Sequence, residues 1–241
     1  MSFTPHPELH AVFEILGYVA GYLVYKRLRA QAGDVLNEER RWMVLAAAAL
    51  GALAGSRLLG ILEQVPRFGF HWQALFQPGG KTIVGGLLGG WIGVELAKRL
   101  TGIRNRTGDL LAVPLCVGIA IGRVGCFLAG LADDTYGTPT GLPWGVDFGD
   151  GIRRHPTQLY EMVFLLALAG FLLWRSRRPY REGTIFRLFL AAYLAWRVLV
   201  DFLKPQPVVD GLNLIQWSCV AGLAVLFLQW AIEQRTHRIE R

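Results

Sequence analysis

Charge is scarce in this 241-residue chain: Asp, Glu, Lys and Arg together make up 18% of it, against about 25% in an ordinary soluble domain. With 53% of its residues hydrophobic, it is not intrinsically disordered, because it has ample apolar surface to bury. Cysteine is nearly absent. The three copies, Cys116, Cys126 and Cys219, all fall in apolar stretches, which excludes a disulfide-stapled secreted miniprotein and reads as buried thiols acting as small hydrophobes. The first ten residues contain no Lys or Arg, and no small-residue cleavage site follows, so no secretory signal peptide is expected. Lysine is missing from the last apolar stretch; the four copies are Lys26, Lys81, Lys98 and Lys204. That excludes a seven-helix protein holding retinal on a Schiff-base lysine. No metal and no cofactor is expected.

What is plentiful is apolar sequence gathered into long runs. Residues 42–62, 82–97, 109–130, 159–174, 184–203 and 213–232 carry few charges, and 11–25 is a shorter run. About 20 such residues cross a bilayer as a helix. The expectation is therefore an all-α integral membrane protein with about seven transmembrane helices, forming one domain over 1–241.

A net charge of +7 and a pI near 9.7 would suggest nucleic acid in a soluble protein. Here the basic residues segregate by side. With the N-terminus outside, seventeen Lys and Arg fall in the inner segments 26–41, 98–106, 175–187 and 235–241. Five are outer: Arg67, Lys81, Arg153, Arg154 and Lys204. The positive-inside rule gives N-terminus out and C-terminus in, and no nucleic-acid partner is needed. Of the connections, 64–81 holds Phe68, Phe70, Trp72 and Phe76 and suits the headgroup level. The polar outer loop 131–155 offers a small hairpin through Leu142–Ile152. The inner loop 30–40 and the cytoplasmic tail 233–241 read as solvated connectors.

Two features of the spans bear on packing and chemistry. Glycines at 85, 86, 89, 90 and 93 predict a close helix–helix seam, since small faces supply packing where lipid removes the hydrophobic drive. Arg57, Arg123 and Arg197 sit inside apolar runs, joined by Asp201 and by Glu161 near a helix start. A central arginine costs at least ~2.5–3.5 kcal/mol on insertion scales, so it must face a cavity, pair with an acid or bind an anion. Arg197 and Asp201 are four apart and can pair along one helix face. Arg123 has no acid at that spacing, and Gly122 and Gly125 leave it room. Its planar fork suits a phosphodiester, and the three arginines together suggest a site for an anionic lipid headgroup. At the loop-to-helix junction, His155 and Pro156 precede Gln158, Tyr160 and Glu161. Pro is tolerated there because its missing N–H would be unpaired anyway, and Gln158 and Glu161 share a face.

The segment GRVGCF at 122–127, followed by HPTQLYE at 155–161, resembles the prolipoprotein diacylglyceryl transferase family. That family carries a Gly-Arg-x-Gly-Asn-Phe signature and a His-Pro-(Ser/Thr)-Gln-Leu-Tyr-Glu segment. GSRLLGILE at 55–63, WRVLVDFLKPQP at 196–207 and LNLIQ at 212–216 are similar to further family segments, in order, across about residues 11–232. The resemblance implies seven membrane helices with the N-terminus outside, in a bacterial cytoplasmic (inner) membrane. It implies movement of the diacylglyceryl group of phosphatidylglycerol, or a similar anionic phospholipid, to the lipobox cysteine thiol of a prolipoprotein, with release of glycerol phosphate. It assigns Arg123 and Arg197 to the phosphate. Gly122, Gly125, His155, Gln158, Tyr160, Glu161, Asp201 and Gln216 match family positions, with Arg57 in the second-helix segment.

Two departures stand out. The family's third span opens His-Gly-Gly, its histidine a proposed base for the acceptor thiol; here Val84 occupies that position. The signature Asn is Cys126, and the acid expected shortly after is Leu131, with Asp133 and Asp134 nearby. His155 is then a candidate base. The alternatives are a phospholipid-dependent transferase with another acceptor, a non-catalytic lipid-binding paralogue, and an anion transporter.

Overall fold

A computed structural model describes residues 4–68, 80–206, 208 and 210–239. Among the described residues seven long helices form, in order: α1 Leu9–Ala32, α2 Glu38–Phe68, α3 Ile83–Thr101, α4 Asp109–Ala129, α5 Thr157–Ser176, α6 Thr184–Val200 and α7 Leu214–Ile239. Between α4 and α5 lie a 3-10 turn, Gly130–Asp133, and two short strands, β1 Val146–Asp147 and β2 Arg153–Arg154. The protein is all-α and membrane-embedded. Among the described residues four segments are long and apolar enough to cross a membrane by length and composition: Glu38–Val65, Asp109–Asp133, Thr157–Ser176 and Leu214–Arg235.

Helix ends follow local chemistry. The Asn37 side chain accepts from the Arg40 N–H at 3.0 Å, with Glu38 and Glu39 in the first turn of α2, where the free N–H groups favour acceptors and negative charge. Thr82 caps α3 by accepting from the Gly85 N–H at 3.1 Å, and Gly102 ends that helix in the left-handed region at φ 67°. Pro156 stands at the N-cap of α5.

The chain divides into two compact units. The first is Met1–Asp34, Gly108–Phe189 and Phe202–Pro205; the second is Val35–Thr107, Leu190–Asp201 and Gln206–Arg241. In the first unit α1 packs on α4, and α4 on α5. A Cβ on Gly17 would stand 2.6 Å from the Gly118 carbonyl oxygen, so the backbones themselves make this seam. The Asp109 carboxylate at the start of α4 accepts from the Gly183 and Phe186 N–H groups at 2.6 and 2.9 Å, satisfying the exposed donors where α6 begins.

In the second unit α2 packs on α3, and α7 on both. The glycine seam forms as expected: a Cβ on Gly55 would fall 2.3 Å from the Gly85 oxygen, and one on Gly89 would fall 2.3 Å from the Gly51 oxygen. Large apolar side chains of both units are exposed, among them Ile15, Tyr18, Leu100 and Phe227. In water so much exposed apolar surface would be a liability; in lipid it is the solvated face.

The connectors depart from expectation. The inner connector narrows to residues 33–37, because α1 runs to Ala32 and α2 starts at Glu38. The tail expected from 233 is helical to Ile239, since helix outlasts the apolar run once a membrane helix is nucleated. The expected hairpin forms, with Val146 opposite Arg154 and Asp147 opposite Arg153. The Asp147 carboxylate accepts from the Gly149 and Gly151 N–H groups across its turn. Most of the aromatic segment 64–81 lies outside the described residues.

Candidate functional site

In the first unit the centre is Arg123 on α4. Its Nη2 lies 2.9 Å from Glu161 Oε2 on α5, with the side chains 6% and 2% exposed. The acid missing four residues from Arg123 on its own helix is thus supplied by the next one. A buried charge of either sign would be untenable alone, and each neutralises the other. The other arm, Nη1, points at the Cys126 sulfur at 3.6 Å. Two arms reaching two partners is the use to which a guanidinium fork, and not an ammonium, is suited.

Gln158 lies one turn before Glu161 on α5. It is 1% exposed, and among the described residues neither its Oε1 nor its Nε2 has a hydrogen-bond partner. Leaving an amide dry and unpaired costs about 1–3 kcal/mol. A polar ligand at this position would recover that cost.

A further set surrounds Cys126. The half-buried His10, from the first turn of α1, places Nε2 3.0 Å from Asp133 Oδ1 and 3.7 Å from Cys126 Sγ. Gly125 makes the approach feasible, since a Cβ there would sit 2.9 Å from Phe13 Cβ and 3.0 Å from the His10 carbonyl oxygen. Gly122 has open space where a Cβ would be. Sequence reasoning misses His10; its place directly before the apolar run 11–25 is the one signal there.

His155 belongs to another cluster. Its Nδ1 is 3.2 Å from Tyr160 Oη, which accepts from Trp144 Nε1 at 2.8 Å. The backbone of His155 is fully used as well: its N–H donates to Thr138 O, and its carbonyl accepts from Gly137 and Thr157. The neighbouring Arg154 holds Asp150 by two 2.7 Å contacts. That hydrogen-bonded guanidinium keeps the Asp150 carboxyl below the ordinary carboxylate range.

In the second unit Arg197 Nη2 and Asp201 Oδ1 are 2.7 Å apart, with the side chains 4% and 1% exposed. This is the four-residue pairing expected from their spacing. Gln216 is committed to the start of α7. Its Oε1 accepts from the Asn213 N–H at 2.8 Å, its own N–H donates to Asn213 Oδ1 at 2.7 Å, and its Nε2 donates to Val198 O at 2.9 Å. That is a reciprocal cap, Asn at the N-cap and Gln three residues on. Arg57 is half-buried on α2, and Val84, where the family has histidine, is 1% exposed.

Comparison with known proteins decides the family. A model of the prolipoprotein diacylglyceryl transferase family matches residues 6–232. The chain belongs to the prolipoprotein diacylglyceryl transferase family. Its relatives include the phosphatidylglycerol–prolipoprotein diacylglyceryl transferase of Clostridium tetani, 33% identical over 200 residues, or 80% of this chain and 78% of the relative. The protein of the same description from Geobacter sulfurreducens is 34% identical over 212 residues, covering 84% and 80%. That from Bordetella avium is 29% identical over 242 residues, covering 91% and 88%. Arg123 and Glu161 lie in the two segments that resemble the family's motifs, and they meet in one buried ion pair.

Proposed function

We propose that the protein transfers the diacylglyceryl group of phosphatidylglycerol to the lipobox cysteine thiol of a prolipoprotein. The site is the bacterial inner membrane, with the N-terminus and the 131–155 loop on the outer face and seven spans. The acceptor thiol gives up its proton and its sulfur bonds to the glyceryl carbon. The bond from that carbon to the phosphate oxygen breaks, and glycerol phosphate leaves with the electron pair. A phosphodiester carries one negative charge and the departing monoester approaches two, so a fixed cation stabilises the transition state more than the ground state.

The observation that carries this reading is the Arg123–Glu161 pair, a forked cation held dry and in place by a carboxylate. A cation already oriented needs no reorganisation when charge develops. We assign Arg197, held in the same manner by Asp201, to the family's second arginine. Gln158, with an unpaired buried amide, is proposed to bond the hydroxyls of the glycerol headgroup. The Gln216 amide is occupied by the cap of α7, so we propose a positioning role for it.

The test is turnover by the purified full-length protein in proteoliposomes of labelled phosphatidylglycerol with a lipobox peptide. The expected result is a diacylglyceryl-modified peptide and free glycerol phosphate. Binding of the lipid without either product would favour the non-catalytic paralogue. Glycerol phosphate release without peptide modification would favour another acceptor, a second reading that Val84 specifically motivates.

A further inference from the structure

Three ligand-type side chains converge beside Arg123 from three separate elements: His10 on α1, Cys126 near the end of α4 and Asp133 in the 3-10 turn. One atom of each, the imidazole Nε2, the sulfur and a carboxylate oxygen, lies within 4.8 Å of the other two. We infer that His10, Cys126 and Asp133 form a site for one zinc ion.

The geometry selects this over a proton relay. In a thiol–imidazole–carboxylate relay the sulfur and the carboxylate address opposite ring nitrogens. Here both address the same one: Asp133 Oδ1 is 3.0 Å and Cys126 Sγ 3.7 Å from Nε2. A single nitrogen cannot donate to the carboxylate and accept from the thiol at once. The Cys126 thiol is also within hydrogen-bonding reach of Asp133, so the three groups face one another, and a metal lets each direct one lone pair at a common centre.

The separations agree as well. With zinc bonds of about 2.0–2.1 Å to nitrogen, 2.3 Å to sulfur and 2.0–2.2 Å to oxygen, tetrahedral edges come to about 3.3 Å for N···O and 3.6 Å for N···S. The contacts observed differ from these by only a few tenths of an ångström.

The supporting residues are those a ligand set needs. The Thr135 hydroxyl donates to Asp133 Oδ2, which fixes the carboxylate with Oδ1 toward His10; such outer contacts orient metal ligands. The His6 N–H donates to the Leu128 carbonyl at 2.7 Å, and Gly125 lets the first turn of α1 lie against α4. His10 is thereby held at Cys126 by backbone contacts. The donor chemistry favours zinc: thiolate and imidazole together disfavour magnesium and calcium, which take oxygen. Thiolate and carboxylate neutralise the ion, and three protein ligands leave a fourth position open. The ion would tie the start of α1 to the end of α4 and to the 3-10 turn.

This site is independent of the transferase reading, since metal is counted without turnover. Full-length protein in detergent, stripped with chelator and dialysed against zinc, should hold about one equivalent. Cobalt in its place should show a thiolate charge-transfer band. Cys126→Ser should abolish that band, and His10→Gln or Asp133→Asn should weaken zinc at least tenfold. Cys126→Asn, which restores the residue of the family signature, should fold normally and lose the metal. A measurement on the unaltered chain guards against variants that fail to fold. Cys116 and Cys219 are buried at 0% exposure, so a thiol reagent reads Cys126, and zinc should slow its alkylation until chelator is added. Zinc well below one equivalent, a cobalt band unchanged in Cys126→Ser, or alkylation of Cys126 indifferent to zinc would each overturn the proposal.

Discussion

Replacing Arg123 with lysine separates what the guanidinium does for the fold from what it does for the reaction. Arginine reaches Glu161 with Nη2 at 2.9 Å and Cys126 with Nη1 at 3.6 Å. A lysine ammonium is one point charge on a flexible stem; it keeps the ion pair to Glu161 and gives up the second arm. Removing the cation altogether is the less informative change. Arg123→Ala would remove the cation that neutralises Glu161, 2% exposed, at a cost of about 3–5 kcal/mol, a large share of the ~5–15 kcal/mol that holds a typical domain together. With lysine the buried charges still cancel, so the thermal midpoint in detergent should fall by only a few degrees. The rate should fall far more, because losing one oriented donor to developing charge costs roughly 10²–10³ in kcat, or about 2.7–4 kcal/mol. Both are read on one preparation, by thermal scanning and by transfer of labelled diacylglyceryl to a lipobox peptide. Full activity in the lysine variant would refute the fork argument and reduce Arg123 to a point charge. A rate loss no larger than the loss of folded protein would refute it differently, making the residue purely structural.

Other consequences are open to direct measurement. His155→Gln and Tyr160→Phe each break the contact at His155 Nδ1; a loss of rate confined to His155→Gln would mark the imidazole itself as acting on substrate, and equal losses in both would leave His155 as an anchor of the hairpin. Asn213→Ala breaks the reciprocal cap on α7 and should cost about 0.5–2 kcal/mol of stability, read as a lower thermal midpoint; an unchanged midpoint would mean that the cap does not hold the helix. Gly55→Leu should prevent accumulation of folded protein, because even its Cβ would lie 2.3 Å from the Gly85 oxygen; normal thermal stability would mean that α2 and α3 do not meet at their backbones. Reporters fused after Arg241 and within 131–155 should give opposite signals, cytoplasmic and outer respectively, and matching signals would overturn the orientation drawn from the positive-inside rule.

The helices are legible in the sequence because lipid demands long apolar runs, and a run of that length has few other uses. The α2–α3 seam is legible from the glycine spacing of α3 alone. Arg197 and Asp201 can be paired on paper since four residues is one helical turn. Arg123 and Glu161 cannot, because their contact depends on which faces α4 and α5 turn to each other, and no local period records that. Convergence of His10 on Cys126 is further out of reach, across 116 residues of chain. The cap at Asn213 and Gln216 is present as an Asn-x-x-Gln pattern, but the glutamine also matches a family segment, and that match points to a ligand contact instead. The continuation of α7 past 233 escapes a hydropathy reading, because hydropathy marks where a helix can enter lipid, not where its hydrogen bonds stop.

What Val84 does to the chemistry is bounded by the acceptor itself. The position is dry, at 1% exposure, and valine can take no proton. Yet an ordinary thiol with a pKa near 8.5 is about 3% thiolate at pH 7. Deprotonating the rest by a fixed base can therefore raise the reactive fraction by no more than about 30-fold, roughly 2 kcal/mol. Stabilising the charge on the leaving phosphate is worth 10²–10³ for each oriented donor. On the function proposed above, the stronger of these two effects belongs to the buried arginines, each held by a carboxylate. A chain that loses the base and keeps the clamp remains within about 30-fold of its relatives at neutral pH and approaches them as the pH rises past the thiol's own pKa. A rate that climbs about tenfold per pH unit below pH ~8 in the unaltered protein, and flattens in Val84→His, would identify the acceptor thiol as its own titrating group. A flat profile in the unaltered protein would instead require a base already in place.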